Sequence, residues 1–182
     1  MLTPIVFFYK VCEKLLREYR EYVFLRMIDC KHKDLYLVGG VHLINKNIKL
    51  GRNVCIYPGC MFFGDGLIEI GNDVDIGNNT IIYASKDGGG VKIGNGTMIA
   101  ANCYIIDCDH GVSGNKPIRE QKNTVKKVLI GENCWLGANV TILKGSEIGD
   151  GTVIGAKSLV KGIIEKNVIA VGIPARVIKH RV

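Results

Sequence analysis

The chain has 182 residues, of which 47% are hydrophobic, and a mean hydropathy of +0.18. A chain of this length and composition can bury one hydrophobic core, which favours a single folded domain and excludes a disordered protein. Charged residues make up 23% of it, and no apolar run approaches the length of about 18 that spans a bilayer, so we expect a soluble protein. The net charge of +7 comes with only 7% aromatic residues and no compact Lys/Arg runs, which favours an anionic membrane surface or a phosphorylated small molecule over nucleic acid as partner.

The start of the chain and its cysteines predict the compartment. Met1-Leu2-Thr3-Pro4 lacks the basic region and the small-residue cleavage site of a secretory signal peptide. The seven cysteines are an odd number, and without an export signal they favour free thiols over a disulfide framework. We therefore expect a cytoplasmic protein.

Residues 1–37 form the first predicted unit, a short amphipathic helical segment. Apolar residues recur at helical spacing from Phe8 to Met27, and basic residues lie between them: Lys10, Lys14, Arg17, Arg20 and Arg26. One interpretation is a helix that caps the open end of the next unit or packs on a neighbouring subunit. The other is a basic helix that makes a peripheral contact with a membrane surface.

A six-residue repeat organises the second predicted unit, residues 38–182. Seventeen positions at this spacing are all aliphatic or Phe: Val38, Ile44, Leu50, Ile56, Phe62, Ile70, Ile76, Ile82, Ile93, Ile99, Ile105, Ile130, Leu136, Ile142, Ile148, Ile154 and Val160. Gly often follows directly, and Asn-rich segments supply turns between short strands. Because one unit cannot bury its apolar face alone, the repeat predicts units that coil, three to a turn, into a parallel β-helix of about six coils.

Inserted residues interrupt the six-residue spacing three times, always after a core residue on the same face of the coil. Two residues are added after Phe62, five after Ile82 and nineteen after Ile105, and these three positions are equivalent when faces are counted in threes. Insertions in a repeat array project as loops, so the loops at 64–66, 85–90 and about 108–127 should cluster at one corner. This corner is the predicted functional site.

The repeat resembles that of the hexapeptide-repeat acyltransferases, from residue 38 to about residue 179. The resemblance implies an all-β fold, a left-handed parallel β-helix, and assembly as a homotrimer. The left hand follows from the resemblance alone, because the rule for crossover connections favours the opposite hand. Cys60, Cys103 and Cys134 fall on small inward positions of the repeat, so we expect core residues and no metal site.

The longest loop opens with Asp107-Cys108-Asp109-His110-Gly111. His110 is the one histidine of four that lies at the clustered corner. In the family that the repeat resembles, a histidine at the start of a projecting loop is the general base, and the resemblance implies this catalytic role for His110. Asp107 or Asp109 could then hold one ring nitrogen and stabilise the imidazolium, and the sequence does not choose between the two carboxylates.

Two further segments resemble the family's coenzyme A groove. In the first, Ile130–Leu143, the resemblance places the single tryptophan, Trp135, beside the pantetheine arm. The same likeness implies coenzyme contacts in the small residues Gly137, Ala138 and, one coil later, Ala156. The closing segment, Ala170–Lys179, resembles the part that meets the coenzyme phosphates, and the implied phosphate contacts are basic: Arg176, Lys179 and, where residues 161–167 depart from the family pattern, Lys161 or Lys166.

The likeness extends to the acceptor. Ser85, in the second loop, resembles the acceptor-contact position of sugar acetyltransferases. The order Asp-Cys-Asp-His-Gly, Pro117-Ile118-Arg119 and Trp-Leu-Gly-Ala-Asn resembles the branch that acts in surface-polysaccharide assembly. We therefore expect an O-acetyltransferase that uses acetyl-CoA as co-substrate and a saccharide hydroxyl as acceptor. An N-acetyltransferase of a nucleotide-linked amino sugar and a non-catalytic β-helix scaffold are the alternatives.

Overall fold

The computed structural model describes residues 4–87 and 89–181, which form one long helix followed by short strands. Helix α1 spans Pro4–Met27. The first eleven strands are β1 Leu35–Leu37, β2 His42–Leu43, β3 Ile48–Leu50, β4 Val54–Ile56, β5 Met61–Gly64, β6 Ile68–Ile70, β7 Asp75–Ile76, β8 Ile81–Ala84, β9 Val91–Ile93, β10 Met98–Ile99 and β11 Tyr104–Ile106. After them come β12 Cys108–Asp109, a 3-10 turn at Ile118–Glu120, β13 Thr124–Val125, β14 Val128–Ile130, β15 Trp135–Leu136, β16 Thr141–Ile142, β17 Glu147–Ile148, β18 Val153–Ile154, β19 Leu159–Val160, β20 Ile163–Ile164, β21 Val168–Gly172 and β22 Ala175–His180.

Three parallel sheets form the faces of a β-helix. Sheet 1 contains β1, β4, β7, β10, β15, β18 and β21, and β22 adds to its end as an antiparallel strand. Sheet 2 contains β2, β5, β8, β11, β16 and β19, and sheet 3 contains β3, β6, β9, β14, β17 and β20. Within the described ranges the chain completes six three-strand coils and begins a seventh. The predicted parallel β-helix is confirmed.

The core is a stack of like side chains. On sheet 1, Leu37, Ile56, Ile76 and Ile99 occupy equivalent positions on successive coils, and all four are buried. Of the seventeen predicted core positions, the fourteen from Ile56 onward are buried. Small inward polar groups bond to carbonyls of the coil, as where the Thr97 hydroxyl donates to Gly131 O at 2.9 Å. Cys60, Cys103 and Cys134 are buried inward as predicted.

Five asparagines of the predicted turns adopt the left-handed conformation of tight turns between strands, whereas Asn72, Asn78 and Asn95 do not. Asn53, Asn79, Asn102, Asn133 and Asn139 have φ between 52° and 61°, a left-handed conformation that Asn tolerates better than most residues. The glycines that follow the core residues are required because the next coil lies too close for a side chain. At Gly77, for example, a Cβ atom would lie 2.7 Å from the carbonyl carbon of Ala100 in the next coil.

The register of the first coil differs from the prediction. Leu37 pairs with Ile56 and Leu43 with Phe62, whereas Val38 and Ile44 are 42% and 57% exposed. The first coil carries one extra residue after Leu43, where buried Asn45 donates from Nδ2 to Gly66 O at 2.9 Å. The assignment of Val38 and Ile44 to the core was therefore wrong by one position, and a one-residue shift moves a side chain to the opposite face of its strand.

Helix α1 caps the first coil with its C-terminal end. Phe24, Leu25 and Ile28 are buried, and the Phe24 ring lies edge-on to Phe62 with centroids 6.0 Å apart. The Glu21 carboxylate accepts the backbone N–H of Leu37 at 2.9 Å. The predicted stripe that starts at Phe8 is mostly exposed, so other residues make the cap. Sheet 1 already begins at β1, inside the segment assigned as helical.

A search of the helices in the described residues finds none that is both long and apolar enough to cross a bilayer.

Candidate active site

The three predicted loops leave the coil at one corner, between sheet 2 and sheet 3. Phe62, Ile82 and Ile105 lie on β5, β8 and β11, which are all strands of sheet 2. The strands that follow the loops, β6, β9 and β14, are all strands of sheet 3. The clustering predicted from the repeat is confirmed, because equivalent strands stack directly above one another.

The long loop starts as a small hairpin. β12 and β13 pair in antiparallel fashion, with Cys108 opposite Val125 and Asp109 opposite Thr124. The backbone of Lys126 ties the hairpin to the coil, since its N–H donates to Asp107 O at 2.9 Å and its carbonyl accepts the N–H of Gly145 at 3.0 Å. The hairpin fixes the point at which His110 leaves the scaffold.

A cleft of about 1100 Å³ opens between the long loop and the turn after β16. The exposed imidazole of His110 lies at the start of this loop and lines the cleft. Three ammonium groups and two carboxylates share the cleft, whose lining residues are Asp109, His110, 111–116, 120–122, Thr124 and Lys144. An acceptor molecule can therefore reach the imidazole from solvent.

Asp107 holds the second loop in place. Its two carboxylate oxygens accept the backbone N–H of Ser85 at 2.8 and 2.9 Å, and one of them also accepts the N–H of Gly90. The whole residue is buried. Ser85 is buried as well, and its hydroxyl accepts the N–H of Asp87 at 3.4 Å, so Ser85 lies outside the cleft lining in this protomer.

Asp109 is held by a lysine from the next coil. Asp109 Oδ2 lies 3.0 Å from Lys144 Nζ, and the same ammonium group hydrogen-bonds to the hydroxyl of Thr124. Lys144 follows β16 at the corner that carries the loops. Among the hydrogen bonds of the described residues, neither Asp107 nor Asp109 is a partner of the His110 ring.

The thiol of Cys108 and the phenols of Tyr83 and Tyr104 hold their protons at neutral pH. Burial raises the pKa of the Cys108 thiol, and the nearby carboxylates of Asp107 and Asp109 raise it further. Burial likewise raises the pKa of the Tyr83 and Tyr104 phenols. A thiol without thiolate character is a poor nucleophile, which disfavours a covalent cysteine mechanism.

The predicted coenzyme residues lie on another part of the coil. Trp135, on sheet 1, points outward and is 50% exposed. Gly137 and Ala138 follow at the turn from sheet 1 to sheet 2, and Ala156 occupies the same turn one coil later, where its backbone N lies 2.6 Å from a Cβ placed on Gly137. None of these four residues lines the His110 cleft.

The predicted phosphate contacts are exposed basic side chains near the C-terminal end of the coil. Lys161 lies at the turn from sheet 2 to sheet 3, and Lys166 lies two residues before β21. Arg176 and Lys179 lie on β22, at the end of sheet 1. The structure thus brings Asp109 and His110 together at the loop corner, where Lys161 also lies on a later coil. The rest of the predicted coenzyme set lies on or beside sheet 1.

Sequence reasoning missed Lys144. Its signal was available, because Lys144 follows the core position Ile142 at the corner where the three loops leave. The six-residue spacing is unbroken at this turn, so the repeat pattern does not distinguish it from the other turns.

Two family models match the chain. The model described as bacterial transferase hexapeptide (six repeats) matches residues 127–162, and the one described as hexapeptide repeat of succinyl-transferase matches residues 68–107. WcaF of Escherichia coli K12, named for acetyl transfer in colanic acid biosynthesis, is 32% identical over 136 residues, which cover 74% of this chain and 70% of WcaF. The chain therefore belongs to the hexapeptide-repeat transferase family, and its coil is the left-handed parallel β-helix of that family.

Other relatives match over a similar part of the chain. WbbJ of Escherichia coli K12, named as a lipopolysaccharide biosynthesis O-acetyl transferase, is 38% identical over 125 residues, or 64% of this chain. A protein of Mycobacterium tuberculosis named as an acetyltransferase, Rv3034c, is 36% identical over 118 residues, also 64% of this chain. The matched part spans 62% of WbbJ and 38% of Rv3034c.

Among solved structures, AntD from Bacillus cereus is similar to this chain with a TM-score of 0.74 and 26% identity, covering 82% of this chain and 83% of AntD. AntD is an N-acyltransferase, and that structure contains dTDP and coenzyme A.

Proposed function

We propose that this protein transfers the acetyl group of acetyl-CoA to a hydroxyl of a saccharide in surface-polysaccharide biosynthesis. The observation that carries the proposal is the exposed imidazole of His110 in a cleft at the loop corner of a hexapeptide-repeat transferase. Relatives named for lipopolysaccharide, colanic acid and galactoside acetylation support a saccharide acceptor. The seven cysteines are free thiols in the structure, which supports a reducing compartment, the cytoplasm.

In this reaction His110 acts as the general base. The acceptor oxygen attacks the thioester carbonyl carbon while the imidazole removes the hydroxyl proton. The C–S bond then breaks, and the imidazolium returns its proton to the departing coenzyme A thiolate, so products are an acetyl ester and free coenzyme A. A positioned base of this kind contributes roughly 10²–10⁴ in rate.

We place coenzyme A along the outward side of sheet 1. Trp135, Gly137, Ala138 and Ala156 offer an aromatic surface and small residues on consecutive coils, which a pantetheine arm can follow. The phosphates would meet basic side chains at the end of the coil: Lys161, Arg176 and Lys179. The complexes of AntD with coenzyme A and with 3-hydroxybutyryl-CoA support an acyl-CoA co-substrate.

We propose a homotrimer as the working assembly. In a three-faced coil, sheet 1 lies opposite the corner between sheets 2 and 3, so Trp135 and His110 of one protomer face different ways. Sheet 1 of a neighbouring copy can supply the coenzyme side of the site. The outward side chains of Met98 and Trp135, adjacent in register and each about half exposed, support a protein contact on this face.

Acetyl transfer to the amino group of a nucleotide-linked sugar is the second candidate, favoured by the dTDP complex of AntD. The test measures coenzyme A release with hydroxyl and amino sugars that are otherwise identical. We expect turnover with the hydroxyl acceptors. His110→Ala should reduce the turnover rate by about 10²–10⁴-fold. His42→Ala removes another exposed imidazole, from sheet 2, and serves as control. Turnover with amino sugars alone would assign N-acetylation, and full activity in His110→Ala would overturn the general-base role of His110. No turnover with either kind of acceptor would return the scaffold hypothesis.

A further inference from the structure

Helix α1 presents a long apolar face that residues 4–87 and 89–181 of its own protomer leave exposed. Ile5, Phe8, Leu15, Tyr19 and Tyr22 are between 60% and 81% exposed. Their spacing of three, four and seven residues places them on one side of the helix. The residues that dock α1 on the β-helix, Phe24, Leu25 and Ile28, lie on the opposite side at its C-terminal end. The helix before Arg17 therefore projects from the coil, and its apolar face stays open as far as Tyr22.

The apolar face is wider than a coiled-coil seam. Residues beside the seam in a coiled coil are charged, and these pair with the partner helix. Here Tyr9, Val11 and Leu16 flank the stripe, and they are themselves apolar and exposed. An apolar arc of nearly half the circumference fits a flat apolar medium better than a single partner helix.

Basic residues dominate the charge around this face. Residues 4–33 contain seven basic and four acidic side chains. Two of the acids already have basic partners, since Glu18 lies 3.8 Å from Lys14 and Glu21 lies 3.6 Å from Arg17. The other two acids, Glu13 and Asp29, are outnumbered by five basic residues, so three positive charges remain in excess; the five are Lys10, Arg20, Arg26, Lys31 and Lys33. This excess complements anionic lipid headgroups, and tyrosines suit the boundary between headgroups and acyl chains.

We propose that α1 lies along the surface of a bilayer that contains anionic phospholipid. Its apolar face enters the boundary of the acyl chains, and its basic residues meet the lipid phosphates. Because only the C-terminal end of α1 is packed on the coil, the β-helix stays outside the bilayer. No residue of the His110 cleft takes part in this membrane contact, so membrane binding and acetyl transfer can fail separately.

The test is sedimentation of the whole protein with vesicles of phosphatidylcholine, with or without phosphatidylglycerol. We expect stronger binding to the vesicles that contain phosphatidylglycerol, and a decrease in this preference as salt is added. Phe8→Asp and Leu15→Asp should each weaken binding by about tenfold or more, because each removes a large apolar side chain from the lipid. Both side chains are exposed, so the variants should keep the helical signal in circular dichroism.

Ile163→Asp is the matched control, since Ile163 is 75% exposed on β20, far along the coil from α1. We expect it to bind vesicles like the wild type. The proposal is overturned if the wild type binds neither kind of vesicle, or if Ile163→Asp and Phe8→Asp weaken binding equally. It is also overturned if Phe8→Asp leaves vesicle binding intact but changes the oligomeric state in sedimentation velocity, because a second copy of the chain would then cover the face.

Discussion

Replacing Lys144 with Met should separate catalysis from stability. The ammonium group joins Asp109 and Thr124, the two residues that face each other at the base of the long loop, to the next coil. His110 directly follows Asp109, so this contact sets where the imidazole stands. Met keeps much of the alkyl length of Lys but removes the charge and all three donors.

Lys144→Met should lower the turnover rate much more than it lowers the free energy of unfolding. The side chains of Lys144 and Asp109 are 27% and 50% exposed, so water can replace the ion pair, and its loss should cost about 1 kcal/mol or less in free energy of unfolding. A displacement of the base by about 1 Å can reduce turnover by about 10²-fold. The KM for acetyl-CoA should stay near the wild-type value, because the proposed pantetheine contacts lie on or beside sheet 1.

The assay is release of the coenzyme A thiol under saturating acetyl-CoA, with thermal unfolding measured in parallel. Lys144→Arg should recover most of the activity, since a guanidinium group can also pair with Asp109. Combining Lys144→Met with Asp109→Asn should cost little more than either change alone, because both break the same contact. Lys49→Met, on the exposed side of β3, is the control. Wild-type kcat in Lys144→Met, or additive losses in the double variant, would refute the positioning role.

Three further predictions concern other parts of the site. Trp135→Ala should raise the KM for acetyl-CoA by about tenfold and change kcat by much less, as measured by initial rates, because the ring is placed against the coenzyme and not the acceptor. Asp107→Ala should lower the free energy of unfolding in urea by about 2–6 kcal/mol, because it leaves the buried N–H groups of Ser85 and Gly90 without an acceptor; an unchanged midpoint would contradict this. Cys108 should react with iodoacetamide more slowly at neutral pH than exposed Cys12 and faster as the pH rises, because its raised pKa and its burial both limit the thiolate; peptide mass spectrometry measures both rates.

The periodicity of the sequence was enough to predict the coil and its loop corner. A core position every six residues demands a repeated strand and turn, and the count of faces then places Phe62, Ile82 and Ile105 one above another. The Asn residues of the turns were visible for the same reason, because a left-handed turn has few acceptable side chains. His110 was found because it opens the longest departure from the period.

Contacts that join different coils, or that depend on strand register, could not be predicted from the repeat. Val38 and Ile44 fit the period as well as Leu37 and Leu43 do, and pairing with the second coil selects between them. Asp107 and Asp109 are two residues apart in the sequence, yet one is buried among backbone N–H groups and the other pairs with Lys144 from the next coil. The positions of the coils and of the inserted loops follow from the amino-acid order alone, because buried apolar side chains recur every six residues. The partner of each polar side chain has no period, since it depends on the atoms that folding brings beside it.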